Sequence, residues 1–296
     1  MISQLDSFAI ISATNRQIYP PKEVETGGLY LIDLKQDNYE PMLLTGTFKE
    51  DFAPHGIDIY KKDSSYIVMA ISHTLTEHFI EIFELKGTKL TPIKTLQDDS
   101  MISPNDLVII NENEFYFTND HGYTKGIGKF LEEYAGLAVA NVVHYKDGKY
   151  EVVANGIAYA NGINFDKKRN FVYVASPRNF QVQVYERKTN GKLSFIENIP
   201  CGTGVDNIDL DTAGHLWIGA HPNLLRFKAY AKGNKPTSPS EIIKVDYRSK
   251  GDYTVEKIYV EEGDKMSAST VAVTFGNLIF TGNVMDDEFL ILERTE

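Results

Sequence analysis

A single cysteine among 296 residues, Cys201, excludes an internal disulfide and leaves no cysteine cluster for a metal. No stretch approaches the roughly 20 consecutive apolar residues that a membrane-spanning helix needs. The opening Met1-Ile2-Ser3-Gln4-Leu5-Asp6 has neither a basic n-region nor an apolar h-region, so no signal peptide is expected in this chain. Basic residues are the minority sign: 30 Lys and Arg stand against 41 Asp and Glu, a formal net charge of −11. That balance excludes nucleic acid as an expected partner, because phosphates need a basic face. GxGxxG, GxxxxGK[ST], GxSxG and HExxH are all missing. The usual nucleotide, serine-hydrolase and zinc-protease readings therefore have no support.

What is present is the composition of a globular protein, 42% hydrophobic and 24% charged, with 17 Tyr and 16 Phe to fill a core. Four short segments open apolar runs: His55-Gly56-Ile57, Asn105-Asp106-Leu107, Asn161-Gly162-Ile163 and Asp206-Asn207-Ile208. They recur at intervals of 50, 56 and 45 residues, the period of an architecture built from small antiparallel sheets. Period-2 alternation predicts a strand after each opening segment, at 8–13, 66–73, 114–121, 171–176, 216–221 and 278–283. Third strands are predicted at 29–34, 80–85, 141–146, 181–186, 224–230 and 289–293, with fourth strands at 89–96, 149–153 and 192–199. Lys86-Gly87, Asp147-Gly148 and Asn190-Gly191 supply hairpin turns between them. Six such units predict an all-β, six-bladed propeller that takes up residues 1–296 as one domain.

Two departures from the repeat stand out. Residues 125–139 read as a short helix, near 128–138, with Phe130, Tyr134, Leu137 and Ala138 on one side. Lying between two strands of a blade, it is expected to sit over one propeller face as a lid or as a packed surface insertion. Nothing in the sequence supports membrane-surface association through it. At the ends, the sixth unit stops after three strands, and only Met1–Leu5 precede the second strand of the first. Ring closure is therefore expected to be incomplete at the N-terminus, leaving an unpaired edge.

In register with the blades run GGLYLIDL at 27–34, PHGI at 54–57, SPND at 103–106, TNDH at 118–121, ANGIN at 160–164, VDN at 205–207 and WIGAHPN at 217–223. Together they resemble the paraoxonase/arylesterase family, calcium-dependent lactonases and esterases on a six-bladed propeller. The resemblance implies a catalytic calcium held by Asn105, Asn161, Asp206, Asn207 and a first-blade glutamate. It implies a second, structural calcium held by Asp106, the carbonyl of Ile57 and an aspartate beside that glutamate. His55 and His73 match a catalytic dyad, and Asp120, His121 and His221 match residues near the pocket. The family's disulfide is missing, since Cys201 has no partner. The Glu-Asp pair is missing too: it falls one or two residues before Met1, and Asp6 lies too near the second strand to replace it. The expectation is a chain shortened at its N-terminus, the rival being a variant that closes and binds metal differently. As written the chain reads as cytoplasmic; a longer natural N-terminus would allow export.

The chemistry suits the residues. Calcium takes six to eight oxygen ligands, amide and backbone carbonyls included, whereas zinc prefers nitrogen or sulfur. His55, with an ordinary pKa near 6.5, is suited to removing a proton from water, and His73 to orienting or relaying for it. Each Asn alone has a simpler reading, as a cap on a turn. The expected function is calcium-dependent hydrolysis of lactones and aryl esters, the substrate being a small molecule. The alternatives are a propeller disabled or non-enzymatic for want of the first-blade carboxylates, and a sugar lactonase of the regucalcin/gluconolactonase group. A propeller by itself implies no activity.

Overall fold

In a computed structural model the described residues are 1–15, 26–46, 48, 51–75 and 77–294. Their strands form six antiparallel sheets, each a meander in chain order. Blade one comprises Ile2–Ser3, Phe8–Ala13, Gly28–Asp33 and Met42–Leu43; blade two Pro54–Lys62, Ser65–His73, His78–Lys86 and Lys89–Leu96. Blade three comprises Pro104–Asn111, Glu114–Asn119, Ala140–Lys146 and Lys149–Ile157; blade four Ile163–Asp166, Phe171–Ser176, Gln181–Arg187 and Leu193–Pro200. Blade five comprises Gly204–Leu210, Leu216–His221, Ser240–Ser249 and Asp252–Glu261, and blade six Ser269–Phe275, Leu278–Asn283 and Leu290–Glu293. Apolar residues of neighbouring sheets interdigitate: Ile71 and Ile80 of blade two pack with Leu107, Phe117 and Val143 of blade three. Burying each such side chain contributes about 1.5–3 kcal/mol, so the faces between blades are where the ring is held.

Around the axis, neighbouring blades are tied to one another by hydrogen bonds. Ser12 Oγ donates to the carbonyl of His55 (2.6 Å), and Asp58 Oδ2 accepts from the Ile109 amide (2.7 Å). Asp106 Oδ2 accepts from Ile163 N (3.0 Å), Asn164 Nδ2 donates to Ile208 O (2.9 Å), and Asn207 Nδ2 to Thr270 O (3.1 Å). Blades six and one meet through Ala9, Ile32, Leu34, Val273 and Phe280, and Gln4 Nε2 donates to Thr274 O. This meets the expectation of incomplete closure: blade six has no fourth strand among the described residues, and it meets blade one through side-chain packing rather than a shared strand.

Two local expectations change. Residues 224–230 are not the third strand of blade five but part of a helix, Leu224–Ala231; the third strand is Ser240–Ser249. Asn223 caps this helix by accepting from Arg226 N at 2.9 Å, and the apolar spacing Leu224, Phe227 then follows a helical face. In blade three, the expected lid helix is Gly126–Ala135, so Leu137 and Ala138 lie beyond it. Gly136 ends it in the left-handed region (φ 68°), and the Leu137 N–H returns to Leu131 O at 3.2 Å. The side chain of Tyr134 lies outside the described ones. Phe130 is exposed, and the buried anchor is Glu132, which accepts from the amides of Gly122 and Tyr123. No helix among the described residues is long and apolar enough to cross a membrane.

Candidate active site

The four repeat segments begin inner strands or, for Asn161-Gly162, immediately precede one, and they touch in pairs: Gly56 lies against Asn105 and Asp106, and Gly162 against Asp206 and Asn207. Close approach there requires glycine. A Cβ on Gly162 would stand 2.5 Å from Asp206 O and 2.6 Å from Asn207 Cα; one on Gly56 would stand 2.4 Å from Asn105 O. Gly162→Ala is expected to cost about 1–3 kcal/mol through overpacking, read from urea unfolding curves. An unchanged midpoint would mean that the strands are not in contact there.

Asn105 Oδ1 and Asn161 Oδ1 are buried and have no hydrogen-bond partner among the described residues. The Asn105 amide is not free to turn, because its Nδ2 donates to Asp120 Oδ2 at 3.2 Å. Asp120 is held from its other oxygen by Ser103 Oγ. Asp206 Oδ2 lies 2.8 Å from His221 Nε2, and the His221 ring stacks on Phe227 at 4.0 Å. Asp106 is buried, and desolvation pushes its carboxyl up to about 7; Asp206 lies near enough to add to that shift. No Lys or Arg pairs with Asp106 among the described residues. Asp6 points elsewhere, pairing with Lys61 and Tyr66, as expected from its position. Among the described residues no three His, Cys, Asp or Glu converge on a metal position, so any cation here would rely on amide and carbonyl oxygens.

His55 and His73 come together with ring centroids 5.3 Å apart. A third imidazole, His78, was missed by the sequence reading; its Nδ1 lies 2.8 Å from His73 Nδ1. The signal was there, a histidine at either side of one hairpin. Tyr159 was missed as well. It sits two residues before Asn161 at φ 66°, a conformation that costs a non-glycine residue strain. The Asp120 charge, aided by burial, pushes its phenol well above the ordinary value. The Tyr159 ring lies under Arg178 (5.0 Å) and edge-on to His121 (5.2 Å). His121 Nδ1 is 3.7 Å from Glu132 Oε2, beyond hydrogen-bond reach but close to the helix anchor.

Fold and mouth together define a six-bladed β-propeller with its polar chemistry gathered at one end of the axis. The family follows from comparison: the arylesterase family model matches residues 17–290, and the chain belongs to that family, a family of hydrolases acting on small molecules. Serum paraoxonase/arylesterase 1 of Rattus norvegicus is 31% identical over 266 residues, covering 87% of this chain and 74% of that protein. Among solved structures, a putative gluconolactonase aligns with TM-score 0.59 at 16% identity, covering 99% of this chain and 86% of the other. A calcium-binding protein, regucalcin, from Agrobacterium tumefaciens aligns with TM-score 0.54 at 12% identity, covering 97% and 82%. These two likenesses describe the fold.

Proposed function

We propose that this chain is a calcium-dependent hydrolase of lactones and aryl esters. The observation that carries the reading is the pair of buried amide oxygens, Asn105 Oδ1 and Asn161 Oδ1, without partners on neighbouring inner strands. Each such atom costs about 1–3 kcal/mol unless something accepts the role of partner. Two of them in equivalent positions, with a carboxylate on the next strand, fit a hard cation. In this reading Asn105, Asn161, Asp206 and Asn207 hold the catalytic ion. Asp106 and the Ile57 carbonyl hold a second, at a buried carboxylate that has no Lys or Arg partner among the described residues. When bound, the catalytic ion supplies Lewis-acid stabilisation of the oxyanion formed from the ester carbonyl.

The protein's own groups do the rest. Asp120, by holding Asn105 Nδ2, aims the amide oxygen away from itself. His221 fixes the Asp206 carboxylate in the same manner. His55 removes a proton from the attacking water, and His73 relays for it. His55→Gln is expected to lower kcat roughly 10²-fold with bound calcium unchanged, measured in a pH-stat with phenyl acetate and a simple lactone. An unchanged rate would remove His55 from the mechanism. If the wild-type chain with calcium hydrolyses neither substrate, the non-catalytic propeller is the better reading.

A further inference from the structure

His73 closes the second strand of blade two, His78 opens the third, and the two are register partners. Their Nδ1 atoms are 2.8 Å apart. At that separation two N–H groups would clash and two lone pairs would repel, so the nitrogens share one proton. One ring donates and the other accepts. With His55 edge-on to His73, the three imidazoles make a chain in the order His55, His73, His78. Asp120 acts on His78 with its negative charge, opposing the burial that holds that ring below its ordinary pKa.

Resting on the hydrolase reading, we propose that His78 is a positioning residue whose Nδ1 accepts the Nδ1–H of His73, fixing His73 in the tautomer with its lone pair on Nε2. The opposite arrangement would put the His73 proton on Nε2 and occupy its remaining lone pair, leaving that ring unable to receive a proton. Acceptance by His78 also supports the charge that follows. As a proton arrives at His73 Nε2, the Nδ1–H bond of His73 stays intact and its hydrogen bond to His78 Nδ1 becomes charge-assisted. The reverse transfer returns the proton to the departing alkoxide, and both rings end neutral. His78 thus plays for His73 the part that an orienting group plays for any catalytic imidazole, choosing which nitrogen is basic.

Nitrogen-15 NMR of histidine-labelled protein, at a pH where both rings are neutral, reads the tautomer without any turnover. The expected spectrum has His73 protonated at Nδ1. His78→Phe is expected to release that tautomer and to lower kcat roughly tenfold at unchanged KM. His78→Asn, whose side-chain oxygen can accept the same hydrogen bond, is expected to recover most of both. Wild-type His73 protonated at Nε2 overturns the assignment, and so does a His78→Phe variant with wild-type kcat. Should the wild-type chain hydrolyse no ester or lactone, the hydrolase reading falls, while the tautomer in the spectrum still decides the role of His78.

Discussion

Asp206→Ala is expected to lower turnover of both a lactone and an aryl ester by roughly 10²–10³-fold, the scale of losing a main oxyanion-stabilising contribution. Asp206 is the one carboxylate among the four proposed ligands of the catalytic ion, so its loss removes the only full negative charge there. It also leaves His221 Nε2 without its acceptor inside a stack on Phe227. That orphaned nitrogen is expected to cost about 1–3 kcal/mol of stability. Asp206→Asn separates the effects, since it keeps an oxygen ligand and discards the charge. Its calcium affinity is expected to fall between those of wild type and Asp206→Ala. Initial rates against calcium concentration, with isothermal titration of calcium and a urea melt, give all three quantities. Wild-type rate and affinity in Asp206→Ala would place the cation somewhere else.

Dialysis against EGTA is expected to abolish hydrolysis, and added calcium to restore it. Magnesium is expected to restore little, because it demands near-ideal octahedral geometry and gives up its waters reluctantly. The same treatment is expected to lower Tm. An ion present at about 100 times its Kd stabilises the folded state by about 2.7 kcal/mol. For a chain of this order, at about 2–4 °C per kcal/mol, that is a fall of roughly 5–10 °C. Differential scanning with and without chelator reads the shift. If neither rate nor Tm responds, the unpartnered oxygens of Asn105 and Asn161 serve something other than a metal.

Most strands were legible because a blade's buried strand has a nearly continuous apolar text. Ser65–His73, for example, is buried at every residue except His73. The error in blade five has a local cause. Leu225, Phe227 and Ala229, alternating with Arg226 and Lys228, imitate a strand over a few residues, and the deciding feature was the Asn223 cap, which acts through one hydrogen bond. The helix end in blade three was set by Gly136, and its anchor by Glu132 rather than by the apolar side chains that drew attention. The motif residues on which the proposed site rests were picked out by their repeat spacing. His78 and Tyr159 were not, because each matters through a neighbour brought close by a hairpin or by an adjacent blade.

The primary structure alone determined the number of sheets, the residues opening each inner strand and the oxygen-rich character of the mouth. These follow from periodicity and residue type, which are local properties of a chain. Folding in three dimensions decided how the ring closes, that Asp120 orients the Asn105 amide, and that three imidazoles rather than two stand in line. Such outcomes depend on which strands touch and in what register: Asn105 meets Asp120 from 15 positions away and Gln4 meets Thr274 from 270, separations that local pattern does not encode.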